Sequence, residues 1–122
     1  MVNFDRAFVL VGLAWLIIGM ILGFYIAFTT STQFIPVHVA MMLSGFVVLT
    51  VYGLIYRGWP ALNETTLGHV QFWIAAIAVV GQVVGALQFV LSGSIAVVAA
   101  ASALALLSAL ILAWLVLTHS AA

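Results

Sequence analysis

Apolar residues run along this chain in four long, nearly unbroken stretches, at 7–28, 36–56, 69–91 and 95–117. A helix needs about 20 such residues to span the roughly 30 Å hydrocarbon layer of a bilayer, so each stretch is predicted to cross it once. None contains a charged residue, and polar or turn residues bound each one. Pro36 suits the first turn of the second helix, where its missing N–H would have no intrahelical partner. Ser92, Gly93 and Ser94 form the tightest link, and the loop 57–68 is the only one long enough for interfacial structure of its own. The expected fold is an all-α integral membrane bundle of four transmembrane helices, forming one domain over 1–122.

Composition makes lipid the necessary solvent. Of 122 residues 68% are apolar and 3% charged, against about a quarter charged in soluble chains. The mean hydropathy is +1.45. The charged set is Asp5, Arg6, Arg57 and Glu64, so no basic cluster exists for a nucleic-acid partner. Cysteine is absent, which removes disulfides, thiolate metal sites and thiol nucleophiles. The first stretch is longer than a signal-peptide core and no small-residue cleavage site follows it, so it is read as a retained helix. Both arginines fall on the side shared by the two termini and the 57–68 loop, which places that side in the cytoplasm. Asn63-Glu64-Thr65 has the form of a glycosylation sequon, but on that side chance explains it better.

Aromatic residues divide between the two interfaces: Phe24, Tyr25, Phe28, Phe34 and Phe89 at one, Tyr56, Trp59, Phe72, Trp73 and Trp114 at the other. Gly12, Gly19 and Gly23 on the first helix and Gly81 and Gly85 on the third mark seams where backbones can approach closely. The alanine-rich stretch 96–109 leaves the fourth helix free to pack on several neighbours or on another subunit.

Polar groups inside lipid are costly, so each is a candidate for function. His38, near the start of the second helix, begins a face that continues through Met41, Met42, Gly45, Leu49, Tyr52 and Tyr56 at helical spacing. A neutral imidazole there can bind a metal or heme iron or be an interfacial histidine solvated by headgroups. The thioethers of Met20, Met41 and Met42 can ligate heme iron or Cu(I), although packing is their commoner role. His69 and His119 lie at the opposite interface, too far from His38 to share an ion. Gln71 and Gln82 fall on one face of the third helix with Ala75 and Ala78, where interhelical hydrogen bonding is the usual role. A proton-driven drug transporter would need a carboxylate within the first helix, and none is present. No Ser/His/acid set or His-Glu-x-x-His spacing points to hydrolysis.

Read in order, Pro36-Val37-His38, Gly45, Gly53, Arg57-Gly58-Trp59-Pro60 and Phe72-Trp73 resemble the heme–copper oxidase superfamily. The likeness is to paired helices of its catalytic subunit, in which a His-x-His element precedes glycines, a proline-bearing loop and a His-Phe-Trp-like start. The chain also looks like a set of short four-helix bacterial proteins described as cytochrome c oxidase-like. This resemblance covers the middle third of the chain. It implies that His38 is an axial ligand to heme b, with Met41, Met42 or a second copy of His38 as the other ligand. Ala40 stands where the second histidine of His-x-His would fall and Gln71 where that of His-Phe-Trp would, so the oxygen-reducing centre is not encoded.

The expected function is therefore electron transfer or diatomic gas binding in a bacterial inner membrane, with the redox partner unnamed. A cofactor-free scaffold or assembly protein is the alternative, and a small transporter a weaker one. Catalytic subunits of the superfamily resemble three four-helix units about a pseudo-threefold axis, which implies a homotrimer. A twofold dimer sealed by the glycine seams is its rival. A copper site of three imidazoles would require three copies of His38.

Overall fold

A computed structural model of the chain describes residues 3–120. The outermost residues of the expected domain, 1–2 and 121–122, lie outside the described residues. Four helices are long and apolar enough to cross a membrane: α1 (Phe4–Thr29), α2 (Thr32–Gly58), α3 (Thr66–Ser92) and α4 (Ala96–Thr118). No strand occurs among the described residues. The first three helices run past their apolar stretches at both ends. A stretch free of charge marks where lipid begins, whereas backbone hydrogen bonding continues through the polar interface.

Each terminus has a local cause. At the start of α1 Asn3 makes no side-chain cap; Phe4 N–H instead donates to Asn63 Oδ1 at 2.7 Å. The Asn63 amide in turn donates to Pro60 O at 3.0 Å, which fixes the short 3-10 turn Pro60–Glu64. The sequon asparagine is thus buried and caps a helix far away in sequence. Asn63→Ala should lower stability by about 1 kcal/mol, the usual value of a lost cap. Equilibrium unfolding in mixed micelles reads the loss, and an unchanged midpoint would contradict this capping role. Thr65 caps α3 by accepting from Gly68 N–H at 2.9 Å. The α3 C-terminus closes on Gly93 in the left-handed region at φ 75°, where a residue without Cβ meets no steric penalty.

The second helix is not uniform. It opens as a 3-10 turn, becomes α-helical at Ile35 with Pro36 in its first turn, and widens into a π-helix over Ala40–Val47. A π-turn takes more residues than an α-turn, so the face presented to a neighbour drifts along the helix. The single face expected from His38 to Tyr56 is therefore split. His38, Met41, Met42 and Gly45 meet α1. Beyond the π segment Thr50 and Gly53 take over that contact, while Leu49 turns toward α3 and Tyr52 stands between the two, its ring 5.7 Å from Phe8 of α1 and also lining the cavity against α3.

Packing proceeds in two pairs, α1 with α2 and α3 with α4, joined mainly where α2 meets α3. Glycines set both distances. A Cβ on Gly45 would lie 2.6 Å from Trp15 Cγ, and one on Gly85 would lie 2.5 Å from Val98 N. The seams proposed for a dimer are thus filled within the chain: Gly19 and Gly23 by α2, Gly81 and Gly85 by α4. The dense core sits at the Phe4 end, where Phe8 and Phe72 meet at 4.9 Å and Phe4 and Phe72 at 5.0 Å. Tyr56 and Phe72, expected as interfacial anchors, are buried there. Trp73 and Trp114 do face outward.

The exterior remains apolar, with Phe28 84% and Leu117 82% exposed. Such a surface associates with a lipid bilayer, where its exposure costs nothing.

Candidate cofactor and ligand sites

His38 reaches across the first helix pair. Its Nδ1 lies 2.8 Å from Gly19 O. A carbonyl oxygen only accepts, so Nδ1 carries the hydrogen and donates. In the neutral imidazole the lone pair then resides on Nε2, the usual tautomer of a histidine prepared for a metal by a carbonyl behind it. The ring packs over Gly23, where an added Cβ would approach Cε1 to 3.0 Å. Gly19 and Gly23, read from the sequence as a seam, and His38, read as a ligand, are parts of one arrangement.

The two methionines face the same groove. An added Cβ on Gly19 would lie 2.7 Å from Met42 Sδ and 3.3 Å from Met41 Cβ. The Met42 sulfur is therefore engaged in packing α2 on α1, and Met41 is partly buried against the core. His69 meets the Phe4 ring at 4.7 Å at the other end of the bundle. His119 follows the end of α4, its Nδ1 2.9 Å from Leu115 O. No cluster of three His, Cys, Asp or Glu occurs among the described residues.

His38 Nε2 thus carries the lone pair that a metal would need. Ala40, the next residue but one along α2 from His38, lines the cavity beside Gln82 and Val98.

Gln71 belongs to a buried network. Tyr56 O–H donates to Gln71 Oε1 at 2.9 Å and lies 3.2 Å from Gly68 O. Gln71 Nε2 donates to Ser108 Oγ at 3.0 Å, linking α3 to α4. All three side chains are fully buried. Gln82, on the same face of α3, makes no such bond and lines a cavity.

That cavity, of about 270 Å³, lies above the network between α2 and α4, with α3 as its floor. Ala75, Ala78 and Ala105 keep the walls low, and Ser44, Tyr52 and Gln82 supply polar groups. A second chamber of about 400 Å³ continues toward the Pro36 end and shares Ser44 and Gln82 with the first. The cleft exists because α4 packs on α3 and scarcely touches α2. A third cavity, at the Phe4 end, gathers Asp5, Arg6 and Arg57; Asp5 Oδ1 is buried there without a hydrogen-bond partner.

No protein-family model, curated protein or solved structure matches the chain.

Proposed function

We propose that this chain is a small membrane protein that holds heme b through His38 Nε2 at a contact between copies, for electron transfer or diatomic gas binding rather than oxygen reduction. The observation that carries this reading is the 2.8 Å Nδ1–H to Gly19 carbonyl bond. It fixes the ring and leaves Nε2 as the free nitrogen, as ligating histidines require. The resemblance to the heme–copper oxidase superfamily supports the same residue. Heme so held supplies a one-electron couple or an iron position for a diatomic gas.

The chain's own contribution is to orient the imidazole by a carbonyl that cannot move far within a helix, and to keep it against a glycine that leaves room for the ring. With Met42 Sδ committed to Gly19, each copy would offer heme one nitrogen ligand, His38 Nε2, and the iron's remaining position would be open to a diatomic gas. The copies assemble as a ring, a trimer by the resemblance, with the edge of the α1–α2 seam where His38 sits turned toward the neighbouring copy. The bilayer is a bacterial inner membrane, with the Phe4 end on the cytoplasmic side because Arg6 and Arg57 lie there.

A cofactor-free scaffold is the second reading. It is favoured by Ala40, which lines the cleft and offers no ligand, and by Gln71, whose amide is consumed in helix bonding. Heme content of the purified variants separates the two. His38→Ala should lose the Soret absorbance while His69→Ala keeps it, both proteins retaining full helicity by circular dichroism. Equal heme-to-protein ratios in both would overturn the role of His38, and no Soret band in the unmodified protein would favour the scaffold.

A further inference from the structure

Inside lipid, a hydroxyl or amide without a partner costs free energy, because no water is at hand to satisfy it. Ser44, Tyr52 and Gln82 all line the cleft between α2 and α4, and none has a side-chain hydrogen bond to the described residues. They come from two helices and are spread over about two helical turns of the cleft. Gln71, from the same face of α3, is fully bonded, so the vacancy at Gln82 is not a general property of that face. The π-helical stretch Ala40–Val47 supplies both Ala40 and Ser44 to the cleft wall, and such interruptions of regular helix occur frequently at functional sites.

We infer that this cleft binds an elongated lipid-soluble molecule with an uncharged, hydrogen-bonding end. The polar end lies against Tyr52, Ser44 and Gln82, and the apolar body runs through the second chamber toward Pro36 and Ile95.

Three features select that chemistry. Ser44, Tyr52 and Gln82 offer hydroxyls and an amide, and no charged residue lines either chamber, which matches an uncharged hydrogen-bonding end rather than an ion. The remaining lining of the first chamber is chiefly apolar, with Val48, Leu49, Val79 and Leu106, which matches a molecule that partitions into the membrane. The two chambers, of about 270 and 400 Å³, suit a narrow small molecule. Most small-molecule sites have this composition, an apolar lining with a few polar groups. The site is separate from His38, which faces α1, so it stands whether or not heme is bound.

Benzophenone is a suitable probe: an apolar aryl ketone whose carbonyl accepts hydrogen bonds and which, under near-ultraviolet light, inserts into neighbouring C–H bonds. The full chain, reconstituted in phosphatidylcholine vesicles, is irradiated with it, and the labelled residues are mapped by peptide mass spectrometry. Insertion is expected to concentrate on Leu49 and Val79, which line the chamber and are otherwise buried. The Tyr52→Phe/Gln82→Leu double variant should reduce that labelling roughly tenfold, the effect of removing about two hydrogen bonds. Ala78→Phe, which fills the chamber, should abolish it. Both variants are checked for unchanged helicity and protease resistance, and Ser44→Ala provides a gentler donor deletion. Labelling spread evenly over outward residues such as Ile17 and Leu110 would overturn the inference. So would labelling unaffected by loss of the donors, which is the result if a lipid acyl chain fills the cleft. Crosslinks between copies in place of probe insertion would show that a second chain occupies it, and would overturn it equally.

Discussion

Replacing Gly85 with leucine should separate α4 from α3 and cost upward of about 3 kcal/mol, the upper part of the range for overpacking. The size follows from what the new side chain meets. Even its first carbon would lie 2.5 Å from Val98 N and 2.6 Å from Val98 Cα. Those are backbone atoms of a helix, so relief requires the whole of α4 to retreat rather than one rotamer to change. Van der Waals packing between helices is the principal attraction available in lipid, where no hydrophobic force joins them. Retreat would also strain the Gln71 to Ser108 bond, the principal polar tie between this pair. Gly58 is the control, because an added Cβ there meets nothing within 4 Å. Unfolding titrations in mixed micelles should show a large shift for Gly85→Leu and little for Gly58→Ala. Similar midpoints for the two would mean that the α3–α4 contact is looser than described.

Tyr56→Ala should be of comparable severity, about 3–5 kcal/mol by analogy with other large aromatic deletions. The ring is fully buried and packs against Phe8 at 5.4 Å and Phe4 at 5.8 Å. Its hydroxyl serves Gln71 Oε1 and Gly68 O, so the truncation opens a cavity and also strips a donor from a buried amide. Tyr56→Phe separates the two effects. It keeps the ring and should cost about 1 kcal/mol, the worth of one hydrogen bond. A Phe variant as damaged as the Ala variant would place the energy in the hydroxyl, contrary to the packing described.

The extent to which this structure was legible in the sequence differs by feature. The four helices were, because lipid demands long apolar stretches and nothing else in the chain competes with that signal. Gln71 was also legible, since a buried glutamine in a helix seeks a partner on the next helix, and it finds Ser108. Gln82 looks identical by that rule and yet lines a cleft. Its environment depends on α4 standing away from α2, which no local pattern encodes. The glycines announced close packing without naming what packs: Gly19 and Gly23 receive Met42 and His38, where a second subunit was one expectation. The partner of His38 is a backbone carbonyl, and every residue has one, so composition cannot point to it. The π-helix turned the expected face of α2 partway along its length, and its cause is a register of hydrogen bonds rather than a residue type. Asn63 was hidden by distance in the chain from the helix it caps.

His38 thus emerges as the polar residue held in place by α1, and heme binding between copies is the central claim made for it. Native mass spectrometry of the detergent-solubilised complex reads chain number and bound cofactor in one spectrum. The expected spectrum shows an assembly of three chains that retains heme and loses it in His38→Ala with the chain number unchanged. A single chain, or an assembly whose mass is accounted for by protein alone, would contradict the claim.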